Sequence, residues 1–329
     1  MGLGILTKIR RHAAVAGGNF GRLFKDIEIP PLPEAASRLI EEVNKPDPDL
    51  QRLVRDISAS PETAACVIRT VNSSLFSLRN EARSVQHAVT LLGLKHIRPI
   101  VLSYAVMTSV PQPPQSVFRH RAFWSDSVIR AIFARLLASR RHKADQEEAF
   151  TAMLLADLAL PVLLVAWGEY YHPIVQRWSE SKQRLSRIEQ ENFNWNHAQA
   201  AAWILSSWGL PEELVCCVGL HTATPEEIRA GALEGTIALP LAVASMAPSC
   251  LKLDRERARA FIRAAVEEMF MDLAGVETML AVTRRSFSEI QSAFNLSSDD
   301  MDPLMDLLTE TIAETRGEEE GNSQRRGAA

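Results

Sequence analysis

Residues 60–74 read Ser-Pro-Glu-Thr-Ala-Ala-Cys-Val-Ile-Arg-Thr-Val-Asn-Ser-Ser, and this stretch decides the fold class. Ser60 is an N-cap residue type, Pro61 suits the first helical position, and Glu62 puts a carboxylate at the positive end of the helix dipole. Val67, Ile68 and Val71 then line one apolar face. Asn72, Ser73 and Ser74 close the segment with side chains that bond nearby backbone. Both ends of a helix are therefore written in the sequence, and the same grammar recurs on either side.

Upstream, Pro30-Pro31-Leu32-Pro33 is an extended entry, because each proline biases its predecessor away from helix. Ala35, Leu39, Ile40 and Val43 make an apolar stripe, and Asp47-Pro48-Asp49 opens a helix carrying Leu50, Leu53, Val54 and Ile57. Downstream, Ser84 caps a helix with Val85, Ala88, Val89 and Leu92, and Gly93 is expected to supply a left-handed C-cap. The next helix is expected over 97–108, with Pro99 in its first turn. Pro111, Pro113 and Pro114 mark a linker. Beyond them the spacing predicts long helices over 119–141 and 145–166, one beginning near Leu185, and one over 197–207. Gly209-Leu210-Pro211-Glu212 closes that helix and opens another, and 225–315 is helical with breaks at Pro240, Pro248, Gly275 and Asn295-Leu296-Ser297.

Period-two alternation does not recur, so the fold class is all-α. The expected organisation is an N-terminal segment (1–23) and a domain over 24–222, made of a helical lobe (24–110) and a bundle (118–222). A helical extension (223–315) completes the bundle or packs beside it, and the charged tail (316–329) is expected to be disordered.

The chain has 329 residues, 47% apolar and 23% charged, enough to bury a substantial core. Its formal net charge of −4 argues against a general nucleic-acid binder. The longest apolar run, Leu154 to Trp167, is interrupted by Asp157 and Pro161, which suits a buried core rather than a membrane span. Residues 1–20 mix Leu3, Ile5, Leu6 and Ile9 with Lys8, Arg10, Arg11 and His12; this reads either as a short surface-seeking helix or as a packed start. No apolar segment followed by a small-residue cleavage site is seen there, so a cytoplasmic location is expected. Cys66, Cys216, Cys217 and Cys250 include no C-x-x-C pair and sit among apolar neighbours, as buried thiols do. No phosphate-binding glycine loop is present. Leu92 to His96 has the outline of a helix-turn-helix joint, but only Lys95 and Arg98 follow as basic groups, so no DNA partner is expected.

The order of these segments resembles the HDOD domains, the HD-related output domains of bacterial signalling proteins. The resemblance runs from Ile29-Pro30-Pro31-Leu32-Pro33 through Ile57–Pro61, where Ser60 replaces the usual aspartate, to Ile68–Ser74. It continues through Ser84–Leu94, Phe150–Ala159, and Asn196-His197-Ala198 on to Trp208–Pro211 and His221. Pro31, Pro33, Asn72, Ser73 and Gly93 are the structural positions it marks. The resemblance implies an HD-like helical bundle. Its enzymatic relatives use a histidine, a His-Asp pair and a later aspartate to hold metal ions for phosphoester hydrolysis, a chemistry that needs imidazole and carboxylate groups around a divalent cation.

Here the chain contains no His-Asp dipeptide. The pair's position reads Ala156-Asp157, the upstream histidine's position is Asp126, and the late aspartate's position is Ser245. Too few ligands are expected to converge for a catalytic metal, so no cofactor and no enzymatic activity are predicted. Asp157, placed in an apolar helix, must find partners; it is either a relic ligand lining a pocket or an acceptor for a neighbouring helix through His197 or His221. Asp126, Asp157, His197 and His221 thus form a candidate vestigial pocket. Trp124, Trp167, Trp195, Trp203 and Trp208 read as core anchors. The resemblance implies a cytoplasmic signalling output or adaptor protein acting on a protein partner, with homo-oligomerisation open. The alternatives are a nucleotide sensor using the vestigial pocket and a divergent metal-dependent phosphohydrolase using Asp126, Asp157, His197 and His221.

Overall fold

The structure is a computed structural model, and it describes residues 34–43, 45, 48–76, 78–141 and 145–327. Pro31, Pro33 and the N-terminal segment lie outside the described residues. Every regular element among those described is helical.

The N-terminal lobe consists of α1 (Glu34–Val43), α2 (Leu50–Ser58), α3 (Pro61–Val71), α4 (Val85–Leu92) and α5 (Leu94–Ser109). The caps read from sequence are made: Asp49 Oδ1 accepts from Gln51 and Arg52, Ser60 Oγ from Thr63, and Ser84 Oγ from His87. Leu39, Leu53, Ile57, Val67, Val71, Val85 and Val89 close a core of their own. Asn72 clamps the chain where it leaves α3, donating from Nδ2 to the Ala82 carbonyl (2.9 Å) and accepting from the Ala82 N–H (2.7 Å). Ser73 Oγ donates to the Thr70 carbonyl at 2.6 Å, so this pair fixes a helix junction.

Two details at the lobe's end differ from expectation. Gly93 has φ +76° and ψ 163°, which is not the left-handed helical cap but an extended region open essentially to glycine alone. Because α5 starts directly at Leu94, Pro99 falls in its second turn rather than its first. There it can give no N–H to the Lys95 carbonyl. Helix α5 is largely buried, with Ile97, Ile100, Val101, Leu102, Ala105 and Val106 in the core.

The bundle is built around α6 (His120–Arg141), which buries residues on every side, from Ala122 to Ala138. Helix α7 (Gln146–Leu154) lies along it, and the joint is clamped by a buried pair, Arg135 Nη2 to Glu147 Oε1 at 2.7 Å. The predicted helix over 145–166 is in fact two, α7 and α8 (Ala159–Ala166), joined by a turn over Leu155–Leu158. Pro161 is the reason. It has no N–H for the Asp157 carbonyl, which accepts from Leu160 instead (2.9 Å). Asp157 therefore sits in a turn between helices, not within one. Counted through that turn, Gln146–Ala166 is long and apolar enough to cross a membrane, yet 83% of its apolar 18-residue window is buried inside the protein.

Helices α9 (Gly168–Glu180), α10 (Leu185–Phe193), α11 (His197–Ser207), α12 (Glu212–Leu220) and α13 (Pro225–Ala230) follow. Then α14 (Ala238–Ser245), α15 (Arg255–Met269), α16 (Leu273–Ile290) and α17 (Ser298–Gly327) all contact α6, and their apolar residues belong to the same continuous core as those of α7 and α8. Pro240, expected as a break, falls within the first turn of α14. Residues 316–327, expected to be disordered, continue α17. Extending a packed helix needs no new nucleus, Glu, Gln and Arg are good helix formers, and Arg316 Nη2 pairs with Glu277 at 2.9 Å. The four cysteines are all free thiols, three of them buried.

A Cβ at Gly93 would meet nothing within 4 Å, so its substitution carries a purely conformational cost. Gly93→Ala is expected to lose about 1–3 kcal/mol in urea unfolding with an unchanged m-value. A loss near zero would mean the joint does not depend on this backbone state.

Candidate functional site

The site lies where the turn at Asp157 meets the ends of two helices and the flank of α6. Each side chain is placed by local chemistry. A reciprocal capping box, Asn196 Oδ1 accepting from Ala198 and Gln199 while Gln199 Oε1 accepts from Asn196 N–H, starts α11 and sets His197 at its first position. His221 stands at the end of α12, and its Nδ1 is 2.7 Å from the Val218 carbonyl, one turn back. Asp126 and Arg130 are one turn apart on α6.

These elements converge. Asp157 Oδ1 lies 3.2 Å from His197 Nε2 and 3.2 Å from His221 Nε2. Asp157 Oδ2 accepts from Arg130 Nη1 at 3.4 Å, and Arg130 Nη2 is 3.2 Å from Asp126 Oδ2. The other Asp126 oxygen accepts the Cys250 N–H at 2.7 Å. Behind His197, fully buried Glu189 accepts from His197 Nδ1 (2.6 Å), from the His197 N–H (2.9 Å) and from the Tyr171 hydroxyl. The sequence expectation that too few ligand groups converge is therefore corrected in one respect. One atom each of Asp157, His197 and His221 lies within 4.8 Å of the others, a set that could hold a metal ion. The turn and the two helix ends that carry them are far apart in sequence, so the convergence is a tertiary event. The expectation that Asp157 is bonded through His197 or His221 is met by both at once.

Burial works to raise the Asp157 carboxyl, but the bonds and charges of the two histidines overcome it and hold the group well below the usual carboxylate range. Burial opposes charge on His197, yet Glu189 and Asp157 on its two nitrogens raise it to about 10. His221 goes the other way: burial lowers it, with the neighbouring His197 charge, despite Asp157. Two carboxylates facing both nitrogens of His197 make it an imidazolium, with no lone pair to spare.

A cavity of about 260 Å³ opens beside this cluster. Its lining includes Asp126, Arg130, Asp157, His197 and His221, together with Ser245 and Arg257 from the C-terminal helices. All four residues singled out from the sequence therefore share one site, whereas Asn72, Ser73 and Gly93 belong to the lobe's joints. Sequence reading missed Arg130, Glu189, Tyr171, Arg184 and Arg257. Arg130 alone left a signal, as a basic residue in the apolar run Val128–Phe133, four residues after Asp126.

The HDOD domain family model matches residues 29–224. The chain belongs to the HDOD family. Among solved structures, this HDOD chain is similar to an HDOD domain protein of unknown function from Geobacter sulfurreducens (20% identity, TM-score 0.56, covering 95% of this chain and 96% of that one). It is also similar to a phosphohydrolase candidate from Shewanella amazonensis SB2B (20%, 0.58, 85% and 95%) and a signal-transduction candidate from Marinobacter aquaeolei VT8 (22%, 0.58, 86% and 61%). These likenesses establish the fold. A curated relative, an uncharacterised protein of Treponema pallidum, is 21% identical over 201 residues, 60% of this chain. The match spans 38% of that relative's length.

The raised His197 value sets a sign. Its folded pKa of about 10 stands above the ordinary 6.5, so its stabilisation is whole below pH 6.5 and is lost as pH rises towards 10. Glu189→Gln keeps the shape and removes the charge. It is expected to be less stable than wild type at pH 6.5 and to show a shallower alkaline decline of the urea midpoint. Parallel profiles for the two proteins would show that His197 is not held as the cation.

Proposed function

We propose that this HDOD protein is a non-catalytic output module of a cytoplasmic signalling pathway, acting through contacts with a protein partner. The observation that carries the reading is the position of Arg130. Its guanidinium bridges Asp126 and Asp157, the two carboxylates that would otherwise serve a metal. The chain carries its own cation at the place where the enzymatic relatives bind one from solution.

The donor set has features on both sides of metal binding. In favour stand three ligand atoms, the minimum for a catalytic ion, and Nδ1 bonds of the kind that orient metal-bound imidazoles. Against it stand three features. His197 is saturated by two carboxylates. Asp126 is spent on Arg130 and the Cys250 N–H, and Ser245 offers a hydroxyl that already accepts from Arg184. A divalent ion on Asp157 at ~5 Å from the Arg130 guanidinium would be repelled by about 7 kcal/mol at an effective dielectric near ~20. The residues present do not fit a catalytic ion, and no hydrolytic step is built on one.

Protein contact is supported by the junction of α8 and α9. Val165 (51% exposed) and Tyr170 (63% exposed) lie beside Trp167, whose ring centroid is 5.7 Å from that of Tyr170. Aromatic groups of this kind are favoured at interface centres.

Metal analysis of protein grown with added manganese, iron and zinc is expected to find substoichiometric metal, and Mn²⁺ is expected not to raise Tm. Arg130→Ala is expected to lose about 3–5 kcal/mol, because two buried carboxylates lose their cation, and to gain a Mn²⁺-dependent rise in Tm. An equivalent of tightly bound metal in the wild type, with hydrolysis of phosphoesters, would overturn the reading. For the contact surface, Val165→Asp with Tyr170→Asp is expected to abolish signalling output in cells at unchanged Tm. Full output from that variant would remove this face from consideration.

A further inference from the structure

The cavity holds more cationic charge than the carboxylate cluster uses. Asp126, Asp157 and Glu189 are engaged by Arg130, His197, His221 and Tyr171. Beside exposed Arg119, which donates to the Cys250 and Leu251 carbonyls, two half-buried arginines line the same space: Arg184, just ahead of α10, and Arg257, in the first turn of α15. Neither forms an ion pair with a carboxylate among the described residues. Arg184 Nη2 donates to Ser245 Oγ (3.2 Å), and Arg257 Nη2 reaches the Ser245 carbonyl only at 3.5 Å. Both partners are neutral.

Four guanidiniums, those of Arg119, Arg130, Arg184 and Arg257, therefore line one half-enclosed cavity. Burial and their mutual repulsion weaken the hold of two of them on their protons, with Arg257 brought down to about 10. Such crowding is costly unless an anion completes it. The rest of the lining is mixed: Phe118, Phe123, Leu160, Leu164 and Leu251 are apolar, and Ser179, Ser186, Thr222 and Ser249 carry hydroxyls. The cavity suits a small molecule with an oxyanion for the guanidiniums and a body that the apolar side chains can cover.

We propose that the cavity binds a small phosphate monoester, its phosphoryl oxygens taken by Arg184 and Arg257 and its apolar body covered by Phe118, Trp178 and Leu164. A phosphoryl group fits better than a carboxylate because it presents three acceptor oxygens and up to two charges to several converging forks. The proposal rests on the non-catalytic reading, since the ester is held and not cleaved. It names the input that the output module senses. Because Arg257 comes from the C-terminal helices and Arg184 from the bundle, an occupied site ties these two parts of the molecule together.

The test is calorimetric titration of the metal-free full chain with AMP and phenyl phosphate, with inorganic phosphate and adenosine as separate arms. Both esters are expected to bind, inorganic phosphate more weakly and adenosine without detectable heat. Arg184→Gln and Arg257→Gln remove charges whose partners are neutral and that repel one another, and are expected not to lower Tm. Each is expected to weaken AMP binding by about tenfold or more, the loss of one charge-assisted contact. Absence of ester binding, or binding indifferent to both substitutions, would overturn the proposal. Equal affinity for inorganic phosphate and AMP would overturn the assignment of the apolar body. Phosphate release from bound AMP would leave the anion site standing and bring down the non-catalytic reading, so the two failures are distinct.

Discussion

A carboxylate removed from water must be matched by cations or hydrogen-bond donors, and the centre of this bundle is organised by that requirement at Asp157. The turn that carries it would be intolerable as a bare charge within an apolar core. Two histidines satisfy one oxygen and Arg130 the other. Each helper brings its own support: Glu189 and Tyr171 behind His197, the Val218 carbonyl behind His221, and Asp126 beside Arg130. Four separate stretches of chain are thereby held in one arrangement, and removing any member strands another.

On the function proposed for this chain, the same network separates binding from catalysis. A guanidinium cannot lower the pKa of a bound water as a divalent ion does, and it occupies the carboxylates that a metal would require. What it leaves is a preformed, electropositive cavity with an apolar lining, which suits recognition.

Much of the fold was legible locally. The helix opening at Asp49, the caps at Ser60 and Ser84, and the proline at the start of α3 each act over three or four residues, and the structure makes all of them. The local readings that failed did so at positions where neighbours intervene. Gly93 takes an extended positive-φ state because α5 begins at once behind it. Asp157 leaves the helix because a proline four residues ahead withholds an N–H, a signal that was present but read only as an interruption of the apolar run. The charged residues after 315 were read by composition alone, which ignores that a helix already packed against α6 extends at little cost.

The sequence by itself determined that the chain is all-helical, where its lobe's helices begin, which family order its segments follow, and that the His-Asp pair is absent. These are short-range properties, set by caps, prolines and apolar periodicity within a turn or two. Tertiary structure alone decided that Asp157, His197 and His221 meet, that Arg130 faces two carboxylates, and that Arg184 and Arg257 share a cavity across 73 residues of chain. Charges find one another only after the core has closed, because the free energy that places them comes from burying the apolar helices around α6 and not from any preference of the charged residues themselves.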